Sequence, residues 1–152
     1  MDSFFEQMYL DLQERIKAEV TEIEWIEQDF GQEVYSKWRP NVAFPAVLID
    51  FPDSEYDELS GANQNGVVNI TLRLLVAPFE QSYEDAPIEV KQGALEFFRI
   101  EQKIVAAIHN WQPDAAYCQS LIRTRIRSNN RNDLGLRIRE LHFTTAYQEF
   151  FE

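Results

Sequence analysis

Residues 68–76 constrain the fold most, because an apolar side chain occupies every second position there. The residues of one parity are apolar: Val68, Ile70, Leu72, Leu74 and Val76. Those between them include Asn69, Thr71 and Arg73. Successive side chains of a β-strand point to opposite faces, so this pattern predicts a strand with one buried face. The chain must therefore supply further strands and an apolar layer to cover that face.

Two segments show the three- and four-residue apolar spacing of amphipathic helices. The first begins at Ser3, which together with Glu6 fits a capping box, and continues to Val20. The second begins near Asp85 and Pro87 and ends before Pro113, which cannot continue a helix. Its predicted buried stripe is formed by Ala94, Phe97, Phe98, Ile104, Val105, Ile108 and Trp111.

Other strands are predicted on either side of the second helix. Residues 44–51 are apolar and rich in branched side chains, which favours a buried strand. Residues 23–30 give a weaker strand signal. Residues 52–66 are polar and acidic and end in Asn65-Gly66, so we expect a long mobile surface loop that closes in a turn. Residues 120–128 and 134–147 predict a terminal hairpin.

The apolar residues change parity within the last predicted strand. Leu134, Leu136 and Ile138 have one parity, whereas Leu141 and Phe143 have the other. An inserted residue would return the later side chains to the core face, so we expect a β-bulge near Arg139 and Glu140.

These elements predict one α+β domain over residues 1–152. An antiparallel β-sheet of about four strands packed against two α-helices on one face is the simplest arrangement of this element order. A chain of 152 residues can bury a core of that size, and no repeat or linker divides it.

Charge and cysteine content restrict the environment and the partners. The net charge of −12 repels phosphate backbones and anionic lipids. Cys118 is the single cysteine, and the first residues lack the features of a signal peptide. No apolar run approaches the length of about 20 residues needed to cross a bilayer. We therefore expect a chain that folds in a reducing cytoplasm without a membrane or non-specific nucleic-acid partner.

The residues that could support catalysis are few. The obvious candidates are His109, His142 and Cys118. The sequence predicts that His109 lies near a helix end and that His142 faces solvent from a strand. Cys118 is predicted to be a small buried side chain. No nucleophile elbow, phosphate loop, dinucleotide fingerprint or paired-cysteine zinc spacing is present. The acids 53, 55 and 57 resemble the start of a calcium loop, but Glu58 and Gln64 occupy its required glycine and glutamate positions. The sequence predicts a protein that is not an enzyme and has no metal or cofactor.

Charge is distributed unevenly along the chain. Residues 1–60 contain fifteen acids and four bases, whereas residues 119–140 contain six bases and two acids. Five arginines of the predicted hairpin form a candidate subunit interface: Arg123, Arg125, Arg127, Arg137 and Arg139. Alternation predicts that the first three share one face of their strand, with the other two alternating likewise on the partner strand. They could be solvated, pair with acids of another copy, or contact nucleic acid, although that strand lacks interleaved aromatic residues.

Several of these segments together resemble the tail-terminator, or tail-completion, proteins of bacteriophages and prophages. They are the helix 4–20, the segment RPNVAFPAVLI at 39–49, the strand 67–77, the helix 87–110 and the terminal hairpin. The resemblance implies a structural protein without catalytic residues. It further implies a homo-oligomeric ring, commonly a hexamer, that caps the tail tube and joins it to the head connector.

The resemblance also implies partners and a location. We expect contacts with tail-tube and head-connector proteins, DNA that passes through the lumen, and a location in the host cytoplasm during assembly and then in the virion tail. A head-completion or connector component is an alternative. A small protein-binding module that uses an exposed sheet edge is another.

Overall fold

The computed structural model describes residues 3–32, 43–77 and 82–151. The helices are α1 (Phe4–Glu19) and α2 (Ile88–Ile108). The strands are β1 (Trp25–Gln28), β2 (Ala46–Asp50), β3 (Ser54–Glu58), β4 (Gln64–Val76), β5 (Ile122–Ser128) and β6 (Arg137–Glu149). Residues 39–42 of the segment that resembles tail terminators lie outside the described residues. So do residues 78–81, which belong to a polar segment, 78–84, that the sequence predicts to be a loop.

The strands of the described chain form one six-stranded sheet. Its order is β1-β2-β4-β6-β5, and β3 pairs with β4 next to the segment that pairs with β2. β4 and β6 are antiparallel along all thirteen residues of each strand. β1 and β2 are parallel. The α+β prediction is confirmed, but the predicted count of about four strands is wrong and the sheet is mixed, although mostly antiparallel.

Both helices cover the same face of the sheet, as predicted. Met8 and Ile16 of α1 and Ile104 of α2 are fully buried in one cluster with the alternating apolar residues of β4. Ser3 caps α1, because its Oγ accepts a hydrogen bond from the Glu6 amide at 3.4 Å. Neither described helix is both long and apolar enough to cross a membrane.

The acidic segment predicted as a loop instead contains β3 and most of a hairpin. β3 pairs with β4 from Ser54 opposite Val68 to Glu58 opposite Gln64. The chain turns before Asn63, whose carbonyl oxygen accepts from the Leu59 amide at 2.9 Å. The expected turn at Asn65-Gly66 is therefore wrong, since both residues lie within β4. An edge strand of exposed acids has no apolar alternation, which explains why its sequence did not reveal it.

Glycine is required at residue 66 by close packing and not by a turn. A Cβ atom at this position would lie 2.7 Å from Tyr56 Cε1 and 2.8 Å from Tyr147 Cε1. The hydroxyl groups of these tyrosines are 2.9 Å apart and share a hydrogen bond. The absence of a side chain at residue 66 therefore lets both rings approach the backbone of β4.

The change of parity in β6 has a cause other than a bulge. β6 keeps an unbroken register with β4, so the bulge predicted near Arg139 and Glu140 is wrong. Leu136 and Ile138 belong to a second apolar cluster, with Ala46, Leu48 and Leu75, on the face away from the helices. Leu141 and Phe143 belong to the core under the helices. We call the face away from the helices the outer face.

The predicted buried stripe of α2 wrongly includes Phe98. Phe97 is buried, but Phe98 is 41% exposed. Consecutive residues of an α-helix differ by about 100° around its axis, so adjacent phenylalanines rarely share a buried stripe. Phe98 lies at the border of α2 and the sheet, where the guanidinium of Arg139 is 5.6 Å from the centre of its ring.

Candidate assembly surface on the arginine hairpin

β5 forms one edge of the described sheet and exposes most of its side chains. It pairs with β6 on one side and has no strand on the other within the described chain. Asn130 helps to close the hairpin, because its Oδ1 accepts from the Ile138 amide at 2.9 Å. Gly135 ends the connecting 3-10 helix with a left-handed conformation at φ 67°. The local sequence thus holds an arginine-rich strand at the rim of the sheet.

A register shift in β5 separates the three arginines that alternation placed on one face. Arg123 lies opposite Phe143, whereas Arg125 lies opposite His142, and the shift occurs between them. Arg127 lies opposite Glu140. Arg125 and Arg127 therefore share the outer face, while Arg123 has the register of a core-facing residue. The prediction of a common face is correct for Arg125 and Arg127 and wrong for Arg123, because a bulge reverses the parity of a strand.

The other two arginines of the candidate interface lie against α2. Arg139 Nε is 2.5 Å from Glu101 Oε1, and its Nη2 is 3.3 Å from Oε2 of the same carboxylate. The guanidinium of Arg137 lies 4.7 Å from the centre of the Phe97 ring. Arg137 and Arg139 lie on the opposite face of the sheet from Arg125 and Arg127, so these arginines do not oppose one another across the hairpin. Their contacts with α2 leave β5 as the exposed part of the set.

Arg123, Arg125 and Arg127 form no ion pair with any described residue. The backbone of Arg123 is engaged, since its amide donates to His109 Nδ1 at 3.1 Å. All three side chains are exposed. The role of the five arginines in subunit contacts stays a prediction, and the geometry narrows it to the β5 arginines.

The outer face also holds a polar network that the sequence did not reveal. Arg73 is 9% exposed and reaches Asp29 Oδ2 at 3.2 Å and Glu140 Oε2 at 3.5 Å. His142 Nδ1 lies 3.1 Å from Thr71 Oγ1. Arg73 occupies a regular polar position of the strand, so the sequence pattern gave no sign that its side chain is buried. Because the charges are partly buried and paired, the network joins β4 and β6 to the segment after β1.

Asp50 lies near this network and feels its charges. Burial raises the pKa of the Asp50 carboxyl group, and the negative charge of Asp29 raises it further. Arg73 acts in the opposite direction. The electrostatics of this region therefore depend on Arg73 as the shared cation of several acids.

The candidate catalytic residues do not form a reactive group. Cys118 is buried, and burial raises the pKa of its thiol to about 11, so it is protonated at neutral pH. His109 caps the end of α2, and His142 lies on β6. No hydrogen bond joins Cys118 to either histidine among the described residues. The described ranges also contain no group of three acidic, histidine or cysteine side chains placed to hold a metal ion.

An open groove of about 590 Å³ lies between the start of α1 and the end of β6. Its floor is aromatic, with the rings of Phe4 and Tyr147 stacked at a centroid distance of 4.0 Å. The Tyr117 hydroxyl donates a short hydrogen bond to Asp11. Burial raises the pKa of both tyrosine hydroxyls, so they act as neutral hydrogen-bonding groups. The carboxylates of Asp11 and Glu149 also line the groove, and each accepts a hydrogen bond from a tyrosine hydroxyl.

Comparison with known proteins finds a shared fold in a solved structure. No family model and no curated protein matches the sequence. A solved structure described as "Virion of native gene transfer agent (GTA) particle" contains a similar chain, with a TM-score of 0.53 and 8% identity. The likeness covers 93% of this chain and 95% of that one. At this identity it shows a shared α+β fold.

Proposed function

We propose that this chain is a structural protein of a phage-type virion. The supporting observation is the likeness to a chain of the gene transfer agent particle, which extends over nearly the full length of both chains. A match over a whole domain is more informative than one over a common helix or hairpin, although a fold alone never fixes a function. The proposal includes assembly with other structural proteins of the particle.

Within the virion, we place the chain as a tail terminator. Several copies form a ring that caps the tail tube and joins it to the head connector. Opposite charges on two parts of one chain suit head-to-tail contacts, and such contacts close into a ring when the rotation between copies allows it. Since the net charge is −12, a lumen lined by acids would let DNA pass without being held.

We further propose that the protein has no enzymatic activity and needs no cofactor. Its work is to bind and align neighbouring proteins. The protonated thiol of Cys118 and the separate positions of the two histidines support this view. The protein would assemble in the host cytoplasm and remain in the tail.

Gene neighbourhood and electron microscopy test the proposal together. Genes for a tail tube, a tape measure and a connector next to this one are expected, as are rings in micrographs of the purified protein. Antibody labelling of purified particles should then mark the junction of head and tail. Labelling at the base of the head without any tail would favour a head-completion role. Neighbouring genes unrelated to particles, together with no label on particles, would refute a virion role.

A protein-binding module is the second candidate function, because β5 has an edge without a strand partner in the described chain. Such an edge can accept an extended peptide by strand addition. Capture of an extended peptide by the isolated monomer, with protection of the β5 amides, would favour this candidate over a ring.

A further inference from the structure

We propose that β5 of one copy pairs with β3 of the next, and that Arg125 and Arg127 lie beside Glu55 and Asp57 in this contact. The inference rests on the proposed assembly of identical copies and specifies its interface. The occupant of each strand edge is thus a second copy of this chain. The contact is heterologous, since each copy offers β5 on one side and β3 on the other.

The strand directions suit this pairing. β3 is antiparallel to β4, β4 to β6, and β6 to β5, so β3 and β5 run in opposite directions. When two copies stand side by side in the same orientation, β5 of one meets β3 of the next as an antiparallel pair. Antiparallel pairing is slightly more stable per residue than parallel pairing. The sheet can therefore continue from copy to copy without inverting a subunit.

The charged side chains also meet on one face. Glu55 lies opposite Val67, and Asp57 lies opposite Asn65, so both acids have the register of the outer face. Arg125 and Arg127 lie on the outer face at the other edge. Neither pair of residues has an ion partner among the described residues. A continuous sheet would bring two unpaired guanidinium groups next to two unpaired carboxylates.

Like charges disfavour the symmetric alternatives. Two copies of β5 would place arginines against arginines, and two copies of β3 would place acids against acids. Opposed like charges on neighbouring strands are destabilising, whereas opposite charges stabilise the pair. The charges thus select the heterologous contact over a two-fold dimer, and a heterologous contact closes into a ring when the rotation between copies allows it.

β1 is a poorer partner because two of its carbonyl groups are already bonded. Gln13 Nε2 donates to the Ile26 carbonyl oxygen at 2.9 Å. Gln32 Nε2 donates to the Gln28 carbonyl oxygen at 2.6 Å. Strand addition needs backbone groups that can accept a new ladder. Side chains from α1 and from the segment after β1 therefore occupy that edge.

The offset between β3 and β5 fits a ring. β3 is level with β4 residues 64–68, whereas β5, through β6, is level with residues 69–74. The shift is about five residues, roughly 17 Å, over a width of about 19 Å for four strand spacings. Copies related by rotation about one axis would then have strands inclined by about 40° to that axis, as in closed barrels.

Two reversals of charge test the contact. One variant carries Arg125→Glu and Arg127→Glu, and the other carries Glu55→Lys and Asp57→Lys. All four residues are exposed, so each variant should keep the thermal unfolding curve of the parent. Each variant alone should associate about 10- to 100-fold more weakly in sedimentation, because attraction becomes repulsion. An equimolar mixture should recover association, since each variant then meets opposite charges on both neighbours.

A matched control variant carries Glu14→Lys and Glu24→Lys, two exposed acids near α1 and β1. It should leave parental association unchanged and fail to rescue the arginine reversal. In about 1 M salt, where the screening length is about 3 Å, the loss caused by either reversal should shrink. A mixture that does not recover would overturn the pairing. Rescue by the control variant instead would assign the contact to β1 and overturn the choice of β3.

The outcomes separate this inference from the proposed virion role. A parent protein that stays monomeric at all concentrations in low salt overturns the pairing, while gene neighbourhood and labelling of particles still decide the virion role. Rings that still form in both charge-reversal variants would also overturn the pairing. If the charge swap succeeds but the neighbouring genes and particles exclude a virion protein, the contact stands and the proposed function fails.

Discussion

Replacement of Phe143 by alanine should destabilise the chain strongly, and replacement of Phe98 should not. Phe143 is fully buried at the centre of β6, opposite Ile70 and under the helices. Removal of such a ring leaves a cavity and costs about 3–5 kcal/mol. Phe98 is 41% exposed. Removal of its ring should cost about 1 to 1.5 kcal/mol, because the ring is only partly buried and contacts Arg139. Water can enter the space that the ring leaves, so no empty cavity adds to the cost.

Urea unfolding followed by circular dichroism measures both free energies against the parent. For a chain of this size, Phe143→Ala should lower the melting temperature by about 10 °C. Phe143→Leu serves as a milder control, because it keeps an apolar side chain and should cost less than alanine does. Equal losses for Phe98→Ala and Phe143→Ala in the monomer would refute the assignment of Phe98 to the border of the helix. A loss below about 1 kcal/mol for Phe143→Ala would refute the core itself.

Three further changes test other parts of the structure. Arg73→Met should cost about 3–5 kcal/mol in urea unfolding, because Asp29 and Glu140 would lose their shared cation, and a neutral result would argue against the network. Gly66→Ala should cost about 1–3 kcal/mol by forcing the new Cβ against two tyrosine rings, and a gain in stability would contradict that close approach. The raised pKa of Cys118 contributes stability that is present below about pH 9 and is lost as the pH rises toward 11. Cys118→Ala should therefore flatten the fall in melting temperature over that range, and an unchanged pH profile would contradict burial of the thiol.

The sequence predicted elements whose apolar spacing repeats over several turns or several strand residues. β4 and both helices belong to this group, because burial on one face imposes a period on their side chains. β3 does not belong to this group, because Ser54–Glu58 is acidic and mostly exposed. It forms a strand through its pairing with β4. The two faces of β6 were misinterpreted as a bulge, because a second apolar cluster on the outer face cannot be distinguished from a change of register in one sequence.

The candidate site was predicted in composition but not in geometry. Charge counts located the arginine hairpin, since the excess of bases there is a property of the sequence. The direction of Arg123 depends on a bulge in β5, and the contact of Arg139 depends on Glu101 of a distant helix. Arg73 finds Asp29 and Glu140 through tertiary packing. Such contacts are set by strand register and packing, which one sequence does not determine.

The distribution of internal contacts explains why the sheet edges matter for assembly. On one face, α1 and α2 cover the aliphatic side chains of the sheet. On the outer face, Arg73 is held by acids from two sides and Leu48, Leu75 and Ile138 form their own cluster. Arg139 is likewise satisfied by Glu101. The charges that find no partner within the described chain include those of β3 and β5. These two strands lie at opposite edges of the sheet, and their charges have opposite signs. A contact between copies at these edges satisfies both sets at once without rearranging either packed face.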